Sequence, residues 1–131
     1  MEFKIDILED GSRTGGQSAV FRETTVPGAG PPLHVHREQV EIFHVIRGQF
    51  RFSVDGALTE AGPGACLVVP AGAVHTFKNI GADEGVLHFE LLPAGSSGEF
   101  FQALVAGEFD PENLGEFFGR HGIDLAGPPL A

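Results

Sequence analysis

Several residue types are absent from this 131-residue chain or rare in it, and each shortage excludes a class of protein. There is one cysteine, Cys66, which excludes an internal disulfide and a cysteine-rich metal cluster and fits a reducing cytoplasm. Lysine and arginine total 8 against 18 acidic residues, so the basic patches that bind nucleic acid or anionic membrane surfaces are lacking. No apolar run approaches the length of a membrane span, and the opening MEFKIDILED lacks the basic start and apolar core of a secretory signal. We therefore expect a cytoplasmic protein that binds neither nucleic acid nor membranes.

The abundant residues indicate one β-rich domain. With 42% hydrophobic residues and 12 phenylalanines, the chain has enough apolar side chains for a core. Its 19 glycines and 9 prolines stand between short apolar runs, which is typical of many strands joined by turns. We predict a single domain over 1–131: an all-β sandwich or small barrel over about 1–93, then a helical extension over about 96–131. In the extension, EFFQALVA and the segment after Asp110 and Pro111 are predicted helices, and IDLAGPPLA a tail.

The segment LHVHREQVEIFHVIRG, residues 33–48, places metal-binding side-chain types among apolar residues. On a strand, side chains two positions apart share a face, so His34 and His36 would point the same way; on a helix they would diverge. The two prolines before this pair and the β-branched and aromatic run VEIFHVI favour strands. If the turn between the strands resets the register, Glu41 faces the same interior as the two histidines.

A further histidine, His75, begins a later predicted strand with Phe77 on the same side. Three imidazoles and one carboxylate suit a divalent ion of Fe, Mn, Ni, Co, Cu or Zn, with one or two positions left for water or substrate. Parity places Phe43 and Phe77 near this centre, where they would form an apolar pocket. Glu38 is an alternative ligand to Glu41 by parity, but its position also suits an exposed loop acid, which we favour.

The same alternation assigns other residues to the outside or to the core. His44 and His88 are predicted to point outward or to pack, because each is next to a phenylalanine that better suits the interior. Ile42 and Ile46 would also point outward and leave an apolar sheet face, which predicts a homodimer. Cys66, within ACLVV, is predicted to be a small core residue.

Two spaced motifs resemble those of the cupins. The first reads Gly28, five residues, His34, one, His36, four, Glu41, six, Gly48. The second reads Gly64, five residues, Pro70, one, Gly72, two, His75, three, Asn79. All ten fixed positions are filled, and the fifteen residues between the motifs are similar to the short intermotif segment of small single-domain cupins. The segments GAGPPLHVH and HGIDLAGPPL are similar to small cupins of the quercetin-dioxygenase-like type.

The resemblance implies a cupin jelly-roll β-barrel of two antiparallel sheets, frequent dimers, and one divalent transition-metal ion held by His34, His36, Glu41 and His75. It leaves the reaction open, since cupins include dioxygenases, isomerases, decarboxylases, epimerases and storage proteins. A quercetinase-like protein would be a metal-dependent dioxygenase of a small aromatic or enolic substrate, with Glu41 as the catalytic base toward a substrate hydroxyl. The alternative is a non-catalytic small-molecule or metal-binding module, or a cupin isomerase or decarboxylase.

Two further absences narrow the chemistry that the resemblance implies. The chain has no tyrosine, so the Cys-Tyr crosslink of thiol dioxygenases is impossible, and Glu41 argues against their three-histidine site. No lysine or arginine is expected near the ligands unless Arg22 or Arg51 faces inward. This disfavours sugar-phosphate substrates.

Overall fold

The fold consists of strands followed by short helices and a last strand, in a computed structural model that describes residues 2–131. Within these residues the strands are Phe3–Glu9 (β1), Ala19–Thr25 (β2), Pro32–His36 (β3), Val40–Arg47 (β4), Phe50–Val54 (β5), Ala57–Ala61 (β6), Cys66–Val69 (β7), His75–Asn79 (β8), Gly85–Leu92 (β9) and Ile123–Pro129 (β10). The helices are Ser97–Ala106 (α1) and Leu114–Gly119 (α2), with a short 3-10 turn at Pro111–Asn113. Among residues 2–131, no helix has both the length and the apolar character to cross a membrane.

The strands form two five-stranded sheets in which the paired strands run antiparallel. The first sheet has the order β1-β2-β9-β4-β7, and the second has the order β10-β3-β8-β5-β6. Because strands that follow one another in the chain repeatedly switch sheets, as β3 and β4 do, the chain winds around both layers. The predicted all-β jelly-roll architecture of two antiparallel sheets is confirmed.

The core between the sheets follows from the period of two along each strand. In β9, Leu87, Phe89 and Leu91 are buried, and the residues between them are partly exposed. Phe21 and Phe43 lie directly opposite Phe89 on the neighbouring strands, with ring centroids 5.1 and 5.8 Å from its ring. Burying one such side chain stabilises the fold by about 1.5 to 3 kcal/mol. Polar residues on these inner faces are therefore costly unless they have partners of their own.

The prediction of a tail after Gly122 was wrong, because Ile123–Pro129 is an edge strand of the second sheet. It pairs with β3, with Ile123 opposite His36 and Leu125 opposite His34. The register shifts around Gly127. An edge strand tolerates prolines and irregular register because one of its sides needs no ladder hydrogen bonds. The helical extension is correspondingly shorter than predicted, and the chain returns from it to cover the strand that carries two histidines.

The prediction that Cys66 is a core residue was also wrong, because its side chain is exposed. In β7, Leu67 lies opposite the inward Phe43, whereas Cys66 lies opposite the outward His44. Directly opposed residues share a face of the sheet, so the register of β7 on β4 turns Cys66 outward. The run of four apolar residues had concealed this alternation.

Candidate metal centre

Three strands from the two sheets bring four polar side chains to one place in the core. His34 and His36 are alternate inward residues of β3, and His75 at the start of β8 lies directly opposite His34 in the second sheet. Glu41 faces them from β4 of the first sheet. The exposed fractions are 9% for His34, 4% for His36, 4% for Glu41 and 2% for His75. The predicted convergence of these four residues is therefore observed.

The donor atoms of the cluster lie close enough to bind a single ion. One ligand atom from each of the four residues lies within 4.8 Å of the others. Two opposite ligands of one ion are separated by about 4.2 Å when each bond is about 2.1 Å long. Small side-chain adjustments would therefore complete a coordination sphere of three imidazole nitrogens and one carboxylate oxygen.

Backbone carbonyls orient two of the imidazoles. His34 Nδ1 lies 2.7 Å from the carbonyl oxygen of Pro32, and His75 Nδ1 lies 2.9 Å from that of Ala73. Since a carbonyl oxygen only accepts hydrogen bonds, each Nδ1 must carry a proton, and Nε2 is the nitrogen left for a metal ion. Backbone oxygens commonly fix metal-ligating histidines in this way.

Glu41 connects the two sheets electrostatically. Its Oε1 lies 2.9 Å from His75 Nε2 and 3.3 Å from His36 Nε2. Burial alone would raise the pKa of Glu41, but the charge and hydrogen bond of His36, followed by those of His75, lower this pKa well below its usual value. The carboxylate therefore stays ionised at neutral pH and is available as an anionic ligand.

The pKa values of His34 and His75 shift in opposite directions in this cluster. Burial, together with the neighbouring His75, lowers the pKa of His34 to about 4, so its imidazole is neutral at pH 7. Burial also opposes the charged form of His75, but the hydrogen bond and charge of Glu41 outweigh it and raise the pKa of His75. Metal binding at this nitrogen would displace the proton shared with Glu41.

His36 is held less completely by the protein than its neighbours. Within residues 2–131, its Nδ1 is the one buried side-chain nitrogen or oxygen that lacks a hydrogen-bond partner. A buried polar atom without a partner costs about 1 to 3 kcal/mol, and such atoms tend to occur where function requires them or where a water or an ion belongs. The donor set and the fixed tautomers of His34 and His75 fit a bound divalent transition-metal ion, with His36 Nε2, the ring nitrogen that faces Glu41, as the third imidazole ligand.

A cavity of about 430 Å³ adjoins the cluster. His34, His36 and Glu41 line one part of it, together with Phe43 and Phe77, the two phenylalanines predicted to form a pocket. Much of the remaining wall comes from the segment after the barrel, and its contributors there include Phe100, Phe101, Leu104, Phe109, Leu114 and Phe118. This volume lies in the range of small-molecule sites.

Comparison with known proteins identifies the fold family. The cupin domain model matches residues 21–91, more than half of the chain. The chain belongs to the cupin family. Over 78 residues, or 60% of its length, this cupin is 30% identical to a mannose-1-phosphate guanylyltransferase of Escherichia coli (strain K12), of which the match covers 16%. The cupin thus spans about a sixth of that relative.

Solved structures support the same fold. The cupin domain of Schizosaccharomyces pombe Cnp3 is 18% identical with a TM-score of 0.65, and the match covers 71% of this chain and 62% of that one. A recombinant oxalate oxidase in complex with glycolate is 21% identical with a TM-score of 0.62, and the match covers 72% and 53% of the two chains. At these identities the likeness concerns the fold.

The other candidate ligands of this cupin lie outside the cluster. Glu38 is exposed in the bend between β3 and β4. His44 and His88 lie opposite each other on the outer face of the first sheet, where His44 approaches Glu90 and His88 accepts a hydrogen bond from Arg22. The predicted outward positions of both histidines are thus observed.

Sequence reasoning missed two kinds of residue in the cavity wall. Of the wall phenylalanines after the barrel, Phe100, Phe101 and Phe118 were predicted as helix residues and Phe109 was left unassigned, and the contact of all four with the cavity depends on where the segment packs. Glu23 and Thr25 of β2 also line the cavity and were not predicted. A signal for Glu23 was present, because the alternation in SAVFRETTV puts it on the same face as the buried Phe21.

Proposed function

We propose that this cupin binds one divalent transition-metal ion through His34, His36, Glu41 and His75 and acts as a metal-dependent dioxygenase on a small aromatic or enolic substrate. The observation that carries the proposal is the adjacency of the four-residue cluster to a cavity rich in phenylalanine. Four protein ligands leave one or two coordination positions, and these would be reached from that cavity. An aromatic wall excludes water and favours a flat apolar substrate.

The charge of the cavity supports an uncharged substrate. Among the described residues that line it, the charged types are glutamates, namely Glu2, Glu23 and Glu41, with no lysine or arginine. Arg22 and Arg51, the two cations that a different register would have turned inward, bond instead to His88 and Glu60. A phosphate group away from the cluster would therefore lack a cationic side chain in this wall, and a small dianion such as oxalate would have to be balanced by the bound metal ion.

The protein residues have distinct roles in this proposal. A bound metal ion would supply Lewis acidity that lowers the pKa of a substrate hydroxyl. Glu41 would be the carboxylate that accepts the proton of that hydroxyl. A carboxylate has a second oxygen for this purpose, which a metal-bound imidazole lacks. Phe43 and Phe77 would hold the substrate ring against the cluster and keep bulk water away.

Metal analysis of freshly purified protein, followed by oxygen uptake, tests the proposal. We expect about one transition-metal ion per chain and oxygen consumption with at least one member of a panel of flavonols, catechols and β-diketones. The panel is repeated with protein stripped by a chelator and reloaded with Fe, Mn, Ni, Co or Cu. Stoichiometric metal without oxygen consumption in any of these samples would replace the dioxygenase proposal by a non-catalytic binding module.

A further inference from the structure

Glu23 is a buried carboxyl in the cavity wall that the proposed metal chemistry does not use. It is 8% exposed, and it lies on β2 between the inward residues Phe21 and Thr25. Thr25 Oγ1 donates a hydrogen bond of 2.9 Å to Glu23 Oε2, and this hydroxyl is its one hydrogen-bond partner among residues 2–131. A carboxyl group has room for more hydrogen bonds than this one. Its remaining capacity is available on the side of the cavity.

The position of Glu23 relative to Glu41 follows from the sheet register. Both residues pair with inward residues of β9, Glu23 with Leu87 and Glu41 with Leu91. Four residues along a strand and two strand spacings across the sheet separate their Cα atoms by about 16 Å. The inward row between them contains Phe89, which also lines the cavity. A ligand that reaches from one carboxyl to the other would therefore lie across an aromatic surface.

The surroundings of Glu23 favour a neutral carboxyl group. Burial raises the pKa of Glu23 to about 7; the Thr25 hydroxyl opposes the rise and the negative charge of Glu41 adds to it. At neutral pH a large share of the Glu23 side chains therefore carries a proton. A protonated carboxyl can donate one hydrogen bond and accept another, so it can recognise a hydroxyl or a carbonyl group.

We propose that Glu23 and Thr25 form a polar anchor that binds a hydroxyl or carbonyl group of an uncharged aromatic ligand whose other end lies at the histidine cluster. The placement of the other end of the ligand at the histidine cluster rests on the proposed function. The anchor itself rests on the positions of Glu23 and Thr25 in β2. The ligand class is then an aromatic molecule long enough to reach from the anchor to the cluster, with oxygen substituents at both ends. A ligand with a carboxylate at the anchor end is disfavoured, because the described residues that line the cavity include no lysine or arginine to balance it.

Binding of matched probes tests the anchor without turnover. The probes are 3-hydroxyflavone and 3,4'-dihydroxyflavone, which differ by one distal hydroxyl, and the 4'-carboxylate analogue. Affinities are measured anaerobically by titration calorimetry, with metal-loaded and with metal-stripped protein. We expect the distal hydroxyl to improve binding by about 2- to 10-fold, the range of one hydrogen bond, and the carboxylate to remove the gain.

Variants assign this preference to Glu23. Glu23→Leu should bind both neutral probes with equal affinity, whereas Glu23→Gln, which keeps a donor and an acceptor, should retain most of the preference. Thr24→Val, on the outward side of the same strand, is the matched control and should behave as wild type. Melting temperatures confirm that each variant is folded. If Glu23→Leu does not fold, Glu23→Met, which has a similar length but no hydrogen-bonding group, carries the test and should lose the preference.

The outcomes separate the anchor from the metal-dependent function. Loss of oxygen consumption or of metal binding with an intact probe preference would contradict the proposed function and leave the anchor standing. An unchanged preference in Glu23→Leu, a carboxylate probe that binds as well as the hydroxyl probe, or no binding of either neutral probe would overturn the anchor.

Discussion

Glu41 and Glu23 are two carboxyl groups that line one cavity, and their environments shift their pKa values in opposite directions. Both lie on the inner face of the first sheet, with exposed fractions of 4% and 8%. Burial favours the neutral form of each. Two histidines reverse this effect at Glu41, whereas the side chain of Glu23 has a single partner among the described residues, the Thr25 hydroxyl. The partners of a buried carboxyl, more than its burial, therefore decide whether it is a charged ligand or a neutral hydrogen-bonding group.

We expect the largest effect from removing one of the histidines that surround the charged Glu41. Replacing one imidazole, as in His36→Ala, removes a ligand and should abolish stoichiometric metal binding. Metal content after dialysis, measured by mass spectrometry, checks this, together with the rise in melting temperature that a bound metal causes. The outward His44→Ala is the control and should keep its metal. Full metal content with unchanged affinity in His36→Ala would show that the site is elsewhere.

Glu41→Gln removes the negative charge of the carboxylate and keeps the shape of the side chain. Three histidines remain, so we expect the fold and much of the metal to be retained. Turnover should fall by about 10²- to 10⁴-fold, the usual contribution of a general base. Oxygen uptake at equal metal loading is the measurement. A variant that keeps wild-type turnover would remove Glu41 from the proton transfer, even if the protein proves to be a dioxygenase.

The pH dependence of stability tests whether the buried carboxyl group of Glu23 is neutral. The pKa of Glu23 is about 7 in the folded protein against 4.5 as its ordinary value, so the folded state holds this proton more tightly. Its contribution to stability is therefore fully present below pH 4.5, declines as the pH rises toward 7, and is absent above that. Relative to Glu23→Gln, the metal-free wild type should lose about 3 kcal/mol of unfolding free energy across this window. Urea unfolding of both proteins at several pH values measures it. A difference between them that does not vary with pH would contradict the raised pKa.

The outer face of the first sheet points away from the cavity that contains Glu41 and Glu23. Substitutions there should therefore affect the site least. Ile46 and Val68 are 48% and 58% exposed there, so the homodimer inferred from the sequence stays a prediction. Val68→Glu should weaken self-association in light scattering and leave metal content unchanged. Leu58→Glu, at a 62% exposed position on the second sheet, is the matched control. A monomer mass for the wild type at tens of micromolar would contradict the prediction.

Local alternation predicted the parts of the fold and site that depend on one strand at a time. His34 and His36 share a face because the period of a strand is two, and Phe43 follows Glu41 inward for the same reason. The run from Cys66 to Val69 is different, because four consecutive apolar residues carry no period and either face could be the buried one. Its pairing with β4 settled the matter and turned Cys66 outward.

The sequence by itself determined which side chains share a face within each strand, and the spacing of its histidines and Glu41 was enough to indicate a metal site. Only the tertiary structure decided that Ile123–Pro129 pairs with β3, that the helix phenylalanines complete the cavity wall, and that Glu23 and Glu41 line the same space. These features join residues far apart in the chain. The physical reason is that side-chain direction is set by the local backbone, whereas pairing, packing and the pKa of a buried group depend on whatever partners the whole fold brings to it.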